Sequence, residues 1–277
     1  MRNRLAVTGL MILLVLVAVA ILATLIAPYG INEIDVTNRL SPPSGDHWFG
    51  TDELGRDVFS RVIIAARVSL QVGFIAVGIA LALGVPIGLL SGYYGGWVDS
   101  ILMRIMDILF SIPAIVLAIA ILAALGPDLV NAMIAIGIVY TPIFARITRG
   151  SVLSLRDAVF VRAARSVGAT DLRILGTHIL PNVIAPIIVQ TSLSLAFAIL
   201  AEAALSFLGL GVQPPNPAWG RMLSEGRGFF QQAPWMAIFP GLAIFVTVFA
   251  FNAFGDGLRD ALDPQQRSII ESRGAAG

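Results

Sequence analysis

The sequence predicts an all-α polytopic membrane protein with six transmembrane helices, and three observations carry that reading. Hydrophobic residues make up 57% of the chain and charged residues 13%, with a mean hydropathy of +0.87; soluble domains are about a quarter charged. Uncharged apolar runs of spanning length recur between short polar segments. Arginines, finally, crowd into alternate polar segments, as membrane topology requires. Composition also removes whole classes of chemistry. The chain has no Cys, hence no disulfide, thiolate metal site or Cys nucleophile. All its basic residues other than His are Arg, so a P-loop lysine and a Schiff base are both impossible. ATP, if it drives this protein, binds to another chain. A net charge of +1 gives no reason to expect nucleic acid.

The first span is Leu5 to Ala27, preceded by Arg2 and Arg4. A cleavable signal peptide has the same basic start, but this apolar run is too long for its core and further spans follow, so a retained helix is expected. Pro28 to Arg67 is polar, with turn chemistry at Pro42-Pro43-Ser44-Gly45. The Asp52, Glu53, Asp57 group lacks the alternating acid spacing of a calcium loop. Asp57 is placed to cap a helix that runs through Val58, Val62, Ala65 and Ala66 into the second span, Leu70 to Gly92. The third span is expected at Ile108 to Leu125 and the fourth at Leu129 to Ala145, with Gly126-Pro127-Asp128 as the turn between them. The fifth runs from about Asn182 to Phe207 and the sixth from about Trp235 to Phe254. An even number of spans puts both termini on one side. With that side cytoplasmic, most arginines fall inside, and only Arg39, Arg56, Arg61, Arg67, Arg221 and Arg227 remain outside in two long loops.

Between the fourth and fifth spans the polar stretch Asp157 to Pro186 reads as an elbow of two short amphipathic helices. Phe160, Ala163, Ala164 and Val167 recur at helical spacing opposite Arg162 and Arg165. Gly168 breaks the pattern. Thr170 and Asp171 begin a second helix with Leu172, Leu175 and Ile179 as its stripe, which Pro181 and Pro186 are expected to end. Its apolar face needs either a partner's groove or the membrane surface.

Ionisable residues are scarce within the spans. Glu202 is the clearest and Asp107 lies near the start of the third; a carboxylate in hydrocarbon faces a bundle interior or a water-filled path. Ser194, Glu202 and Ser206 are therefore candidates for a translocation path, although small residues crowd this span and most serve close packing. Trp219, in the loop that follows, is expected to anchor at the membrane interface. Near the C-terminus, Asp256 with Asp260 and Arg259 with Asp263 fall at i, i+4 on a short capped helix.

Four segments then agree in order. GTDELGRDVFSR at 50–61, the elbow at 162–182, AEAALSFLGLGVQPPNPAWGRML at 201–223 and FNAFGDGLRDALDP at 251–264 together resemble the C-type permease subunit of dipeptide, oligopeptide and nickel ABC importers. The elbow resembles their coupling motif, EAA-x3-G-x9-I-x-L-P, with Arg162 in place of Glu and His178 in place of Ile. The resemblance implies a type I (MetI-like) permease fold. It also implies an N-terminal helix and extracytoplasmic loop over 1–69, and a core of five helices over 70–277 with its coupling elbow at 157–182. Arg162, Ala163, Ala164, Gly168, Asp171, Leu180 and Pro181 would couple to an ATPase. Gly50, Thr51, Asp52, Gly55, Arg56 and Asp57 match the family's first outer loop, where contact with a binding protein or a second permease is implied.

Such a subunit has no catalytic residues and holds no cofactor, since ATP and magnesium are bound by partner chains. Implied partners are a homologous permease, two ATPase subunits, an extracytoplasmic solute-binding protein and membrane lipid. Two other classes compete. A stand-alone ion-coupled transporter would have more intramembrane ionisable groups and broken-helix pairs. A membrane-embedded enzyme would need a constellation that His47 and His178, expected on opposite sides, do not supply.

Overall fold

A computed structural model describes residues 4–262 as a bundle of nine helices. These are α1 (Arg4–Ile26), α2 (Val58–Tyr94), α3 (Gly96–Ser111), α4 (Ala114–Leu125), α5 (Leu129–Leu155), α6 (Val159–Ser166), α7 (Asp171–Phe207), α8 (Trp219–Arg227) and α9 (Trp235–Leu262). Five of them, α1, α2, α5, α7 and α9, are long and apolar enough to cross a membrane, and α3 with α4 makes a sixth candidate bent by 95°. Asp263 lies outside the described residues. Asp256 and Asp260 continue α9 rather than forming a separate short helix.

The third span departs from expectation because of one proline. The run Ile108 to Leu125 is uniformly apolar, but Pro113 has no N–H and drives the residue before it out of the helical region. Ile112 accordingly has φ −89° and ψ 131°. The chain turns sharply there, so α3 lies across the direction of α4 with Trp97, Ile101, Ile105 and Ile108 exposed.

The second elbow helix departs in the other direction. It does not end at Pro181 but runs on through Phe207 as one 37-residue segment. Its early turns, Ile174–Ile179, are wider than an α-helix, with the Leu180 N–H bonded to the Leu175 carbonyl. That shift of hydrogen-bond register lets the helix pass a residue that can neither donate nor tolerate the usual carbonyl behind it. Asp57, placed as a cap by the sequence, accepts from the Ser60 N–H at 2.7 Å, and Asp128, expected only as part of a turn, caps α5 by accepting from the Val130 N–H at 3.2 Å.

The core is built on α2 and α5. They run parallel and touch along a seam where Gly84 faces Thr141 and Phe144, Gly88 faces Ala145 and Thr148, and Gly92 faces Arg149 and Val152. A methyl group at Gly88 would stand 2.5 Å from the Ala145 carbonyl oxygen, so the seam closes only with hydrogen there. α7 lies against α2, α5 and α9, while α1 packs on α9 and α2. Position 69 lies inside α2, and the N-terminal helix is tied to the rest by Arg67, which donates to the Ala20 and Ile21 carbonyls at 2.9 and 3.0 Å.

Candidate functional site

The elbow is a rigid bracket with an uncovered face. After α6, Gly168 adopts φ +80°, a conformation a side chain strains. The Ala169 N–H reaches back to the Ala164 carbonyl at 3.1 Å and the Gly168 N–H to Arg165 at 3.0 Å, closing the helix end. The apolar stripe is rotated from the one expected. Val161 and Ala164 are buried together with Ile174, Leu175 and Ile179, whereas Val159, Phe160 and Ala163 point outward. Val167 is 85% exposed and Leu172 83%. Packing of α6 on the widened turn of α7 decides this phase, which α6 alone does not encode.

A second strut mounts the elbow on α2. Tyr93, at the end of that helix, donates its hydroxyl to Asp171 Oδ1 at 2.7 Å, and the Arg165 guanidinium stands 5.0 Å over its ring. Asp171 thus ties the elbow to α2 and is not spent on capping α7. Arg162 and Pro181 are exposed and Leu180 is half-buried. Sequence reasoning missed Tyr93; its place just before the Gly95-Gly96 break was the available signal.

Along α7 the candidate path residues are closed inside the chain. Glu202 is 1% exposed; it accepts the Ser206 hydroxyl at 2.6 Å and that of Ser69 on α2 at 3.4 Å. Ser206 accepts in turn from the Val212 N–H at 3.2 Å, and Ser194 from Gln190 at 3.1 Å. Two cavities flank this helix. One of about 200 Å³ is apolar and is lined by Ile136, Tyr140, Phe197 and Ala204. The other, about 590 Å³ and nearer the elbow, is lined by Asn182, Gln190, Leu193 and Arg259 among others.

At the end opposite the elbow the loop before α2 is a knot. Gly50, Thr51, Asp52, Gly55, Arg56 and Asp57 are all buried. Thr51 bonds the Asn38 carbonyl through its hydroxyl, and its own carbonyl accepts from the Trp235 indole at 3.0 Å. Asp57 pairs with His47 at 3.0 Å while capping α2. The exposed apolar residues of this loop include Ile34, Val36, Trp48 and Leu54, which no motif had singled out. At Asp35, hydrogen bonds from Thr37 and Asn38 hold the carboxyl below its usual range.

Trp219 is not an interface anchor. It is 1% exposed and donates its indole N–H to the Val62 carbonyl at 3.0 Å, locking α8 to α2. Among the described residues no group of His, Cys, Asp or Glu is arranged to hold a metal ion.

A family model described as "Binding-protein-dependent transport system inner membrane component" matches residues 84–268. The chain belongs to that family. The model for the N-terminal transmembrane domain of oligopeptide transport permease C matches residues 1–43, which places the subunit among C-type permeases. The dipeptide transport system permease protein DppC of Alkalihalophilus pseudofirmus is 53% identical over 96% of this chain and 88% of its own length. The glutathione transport system permease protein GsiD of Escherichia coli is 50% identical over 95% and 88% respectively. In fold, the chain resembles the inward-facing MetNI methionine ABC transporter, with a TM-score of 0.59 at 18% identity over 73% of this chain and 96% of that one. An amino acid ABC transporter matches with a TM-score of 0.55 at 18% identity, over 74% and 93%. The bundle is therefore a type I permease fold, and this family member is a multi-pass protein of the inner membrane.

Proposed function

We propose that this permease is the membrane-spanning half-channel of an ATP-driven importer for di- or oligopeptides, or for related small solutes such as glutathione or nickel chelates. The relatives named for dipeptide and glutathione transport support the solute class. Its partners in this reading are a homologous second permease, two ATPase subunits that bind ATP and magnesium, and a solute-binding protein. The N-terminus, C-terminus and elbow face the cytoplasm, in keeping with the arginine distribution.

The observation that carries the coupling role is the elbow's uncovered face. Val159, Phe160, Val167 and Leu172 stand exposed on a polar end of the molecule, while Val161, Ile174 and Ile179 behind them are fully buried. A face so rigidly backed transmits displacement. Pushed by a partner, α6 carries α7 with it through their shared core, and the Tyr93–Asp171 bond carries the end of α2. Those two helices border the central seam, so a cytoplasmic displacement reaches the spans without a flexible link. Glu202 then acts behind the path, holding α7 to Ser69 of α2, while Ser194 and Ser206 bond within α7 and to the turn after it. The cavity lined by Asn182, Gln190 and Arg259 is the nearer candidate for its inner vestibule.

The test is reconstitution. Co-purified with its partner chains and placed in proteoliposomes with the binding protein outside, the complex should accumulate labelled dipeptide only with ATP at the elbow side. Uptake by this chain alone, driven by an ion gradient, would overturn the proposal.

A further inference from the structure

At the loop end of the bundle, five charged side chains are enclosed together. Arg56 reaches Asp52 at 2.6 Å, Glu53 at 3.2 Å and Glu225 at 3.6 Å. Arg61 reaches Asp52 at 3.7 Å and Glu225 at 3.6 Å, and donates to the Ile31 carbonyl at 3.0 Å. The cage ties the loop before α2 and the adjoining first turn of α2 to α8, which is distant in sequence.

Its carboxylates are unequally satisfied. Asp52 accepts the Leu54 and Arg56 N–H groups, each at 2.9 Å, besides the Arg56 guanidinium. Glu225 accepts from Arg221 at 2.9 Å as well as facing both cage arginines. Glu53 has a single contact, through Oε1, and its Oε2 is buried without a hydrogen-bond partner. A buried carboxylate oxygen that no donor reaches is where a negative charge is least compensated.

We propose that Glu53 holds a dissociable proton and makes this cage a pH-sensitive latch between the loop and α8, tight with the proton bound and loosened when it leaves. The charged groups facing Glu53 are Asp52 on its own loop, Arg56 before α2, Arg61 on α2 and Glu225 on α8. At the edges, Arg39 donates to the Glu53 backbone carbonyl at 2.7 Å and Arg221 is held by Glu225. From α9, Trp235 and Met236 reach the region, and neither titrates.

Burial, then the neighbouring Asp52 and Glu225 charges, raise the Glu53 carboxyl above its usual range, with Arg56 opposing. The sign follows by linkage. The closed latch binds the proton more tightly than the open one, so its extra stability is full below the ordinary glutamate range and is lost as pH rises through the raised value.

Hydrogen exchange on the assembled complex in nanodiscs, where both faces meet the same buffer, tests this. Between about pH 4 and about pH 8, and after correction for intrinsic rates, exchange at Leu54, Arg56 and α8 should quicken by roughly threefold to tenfold. Glu53→Gln should keep the protection and abolish its pH dependence. A flat wild-type profile, or an unchanged slope in Glu53→Gln, would overturn the latch. Should that variant fail to assemble, Glu53→Asp, which keeps the acid but withdraws it from the cage, must shift the midpoint; an unmoved midpoint overturns the proposal equally.

Discussion

At Glu202 a carboxyl group is sealed among helices, and what it contributes is set by its two serine partners. Glu202→Gln keeps one acceptor oxygen and puts an NH2 donor where a serine oxygen can accept from it, whereas Glu202→Leu strands Ser206 and Ser69 inside the bundle. Loss of such buried partners costs about 1–3 kcal/mol. Thermal unfolding of the detergent-extracted complex should therefore fall for Leu and stay near wild type for Gln; equal losses would mean that the charge itself is required. Gly168 acts through conformation instead of contact. Nothing lies within 4 Å of a side chain added there, yet its φ of +80° strains any L residue. About 1–2 kcal/mol of strain is roughly tenfold in an equilibrium constant. Gly168→Val should assemble but lose about that factor in substrate-stimulated ATP hydrolysis, and a fully stimulated mutant would contradict the coupling role.

The α2–α5 seam shows what an element needs that its hydropathy does not state. Gly84, Gly88 and Gly92 recur every fourth residue, and the parallel α5 closes onto them. Gly88→Leu should prise these helices apart, read as loss of folded protein in the membrane fraction, whereas a change at the exposed Leu83 should leave the yield unaltered. Most spanning runs and the Asp57 cap were legible because one segment suffices to encode them. The bend at Pro113 was missed, because the apolar run was weighed above the proline that breaks it. Other features depended on contacts between segments. The phase of α6 is set by its packing on the widened turn of α7, the burial of Trp219 by a carbonyl on α2, and the passage of α7 through Pro181 by the widened turns before it. No periodicity in a single stretch carries those.

For the molecule as a whole, one end is a buried charge cage and the other an exposed apolar bracket, joined by long helices that reach both. The motif residues divide accordingly. Those of the loop before α2 proved to be the inside of a knot, while those of the elbow include the buried Ala164 and the exposed Arg162, Ala163 and Gly168. Because the chain has no native cysteine, the open face can be probed singly, and the most direct measurement is cross-linking from Val167→Cys in the assembled membrane complex. With a short bifunctional reagent, the coupling reading predicts an adduct with an ATPase subunit whose yield changes when ATP is added. An adduct with lipid alone, or a yield indifferent to the ATPases, would contradict it.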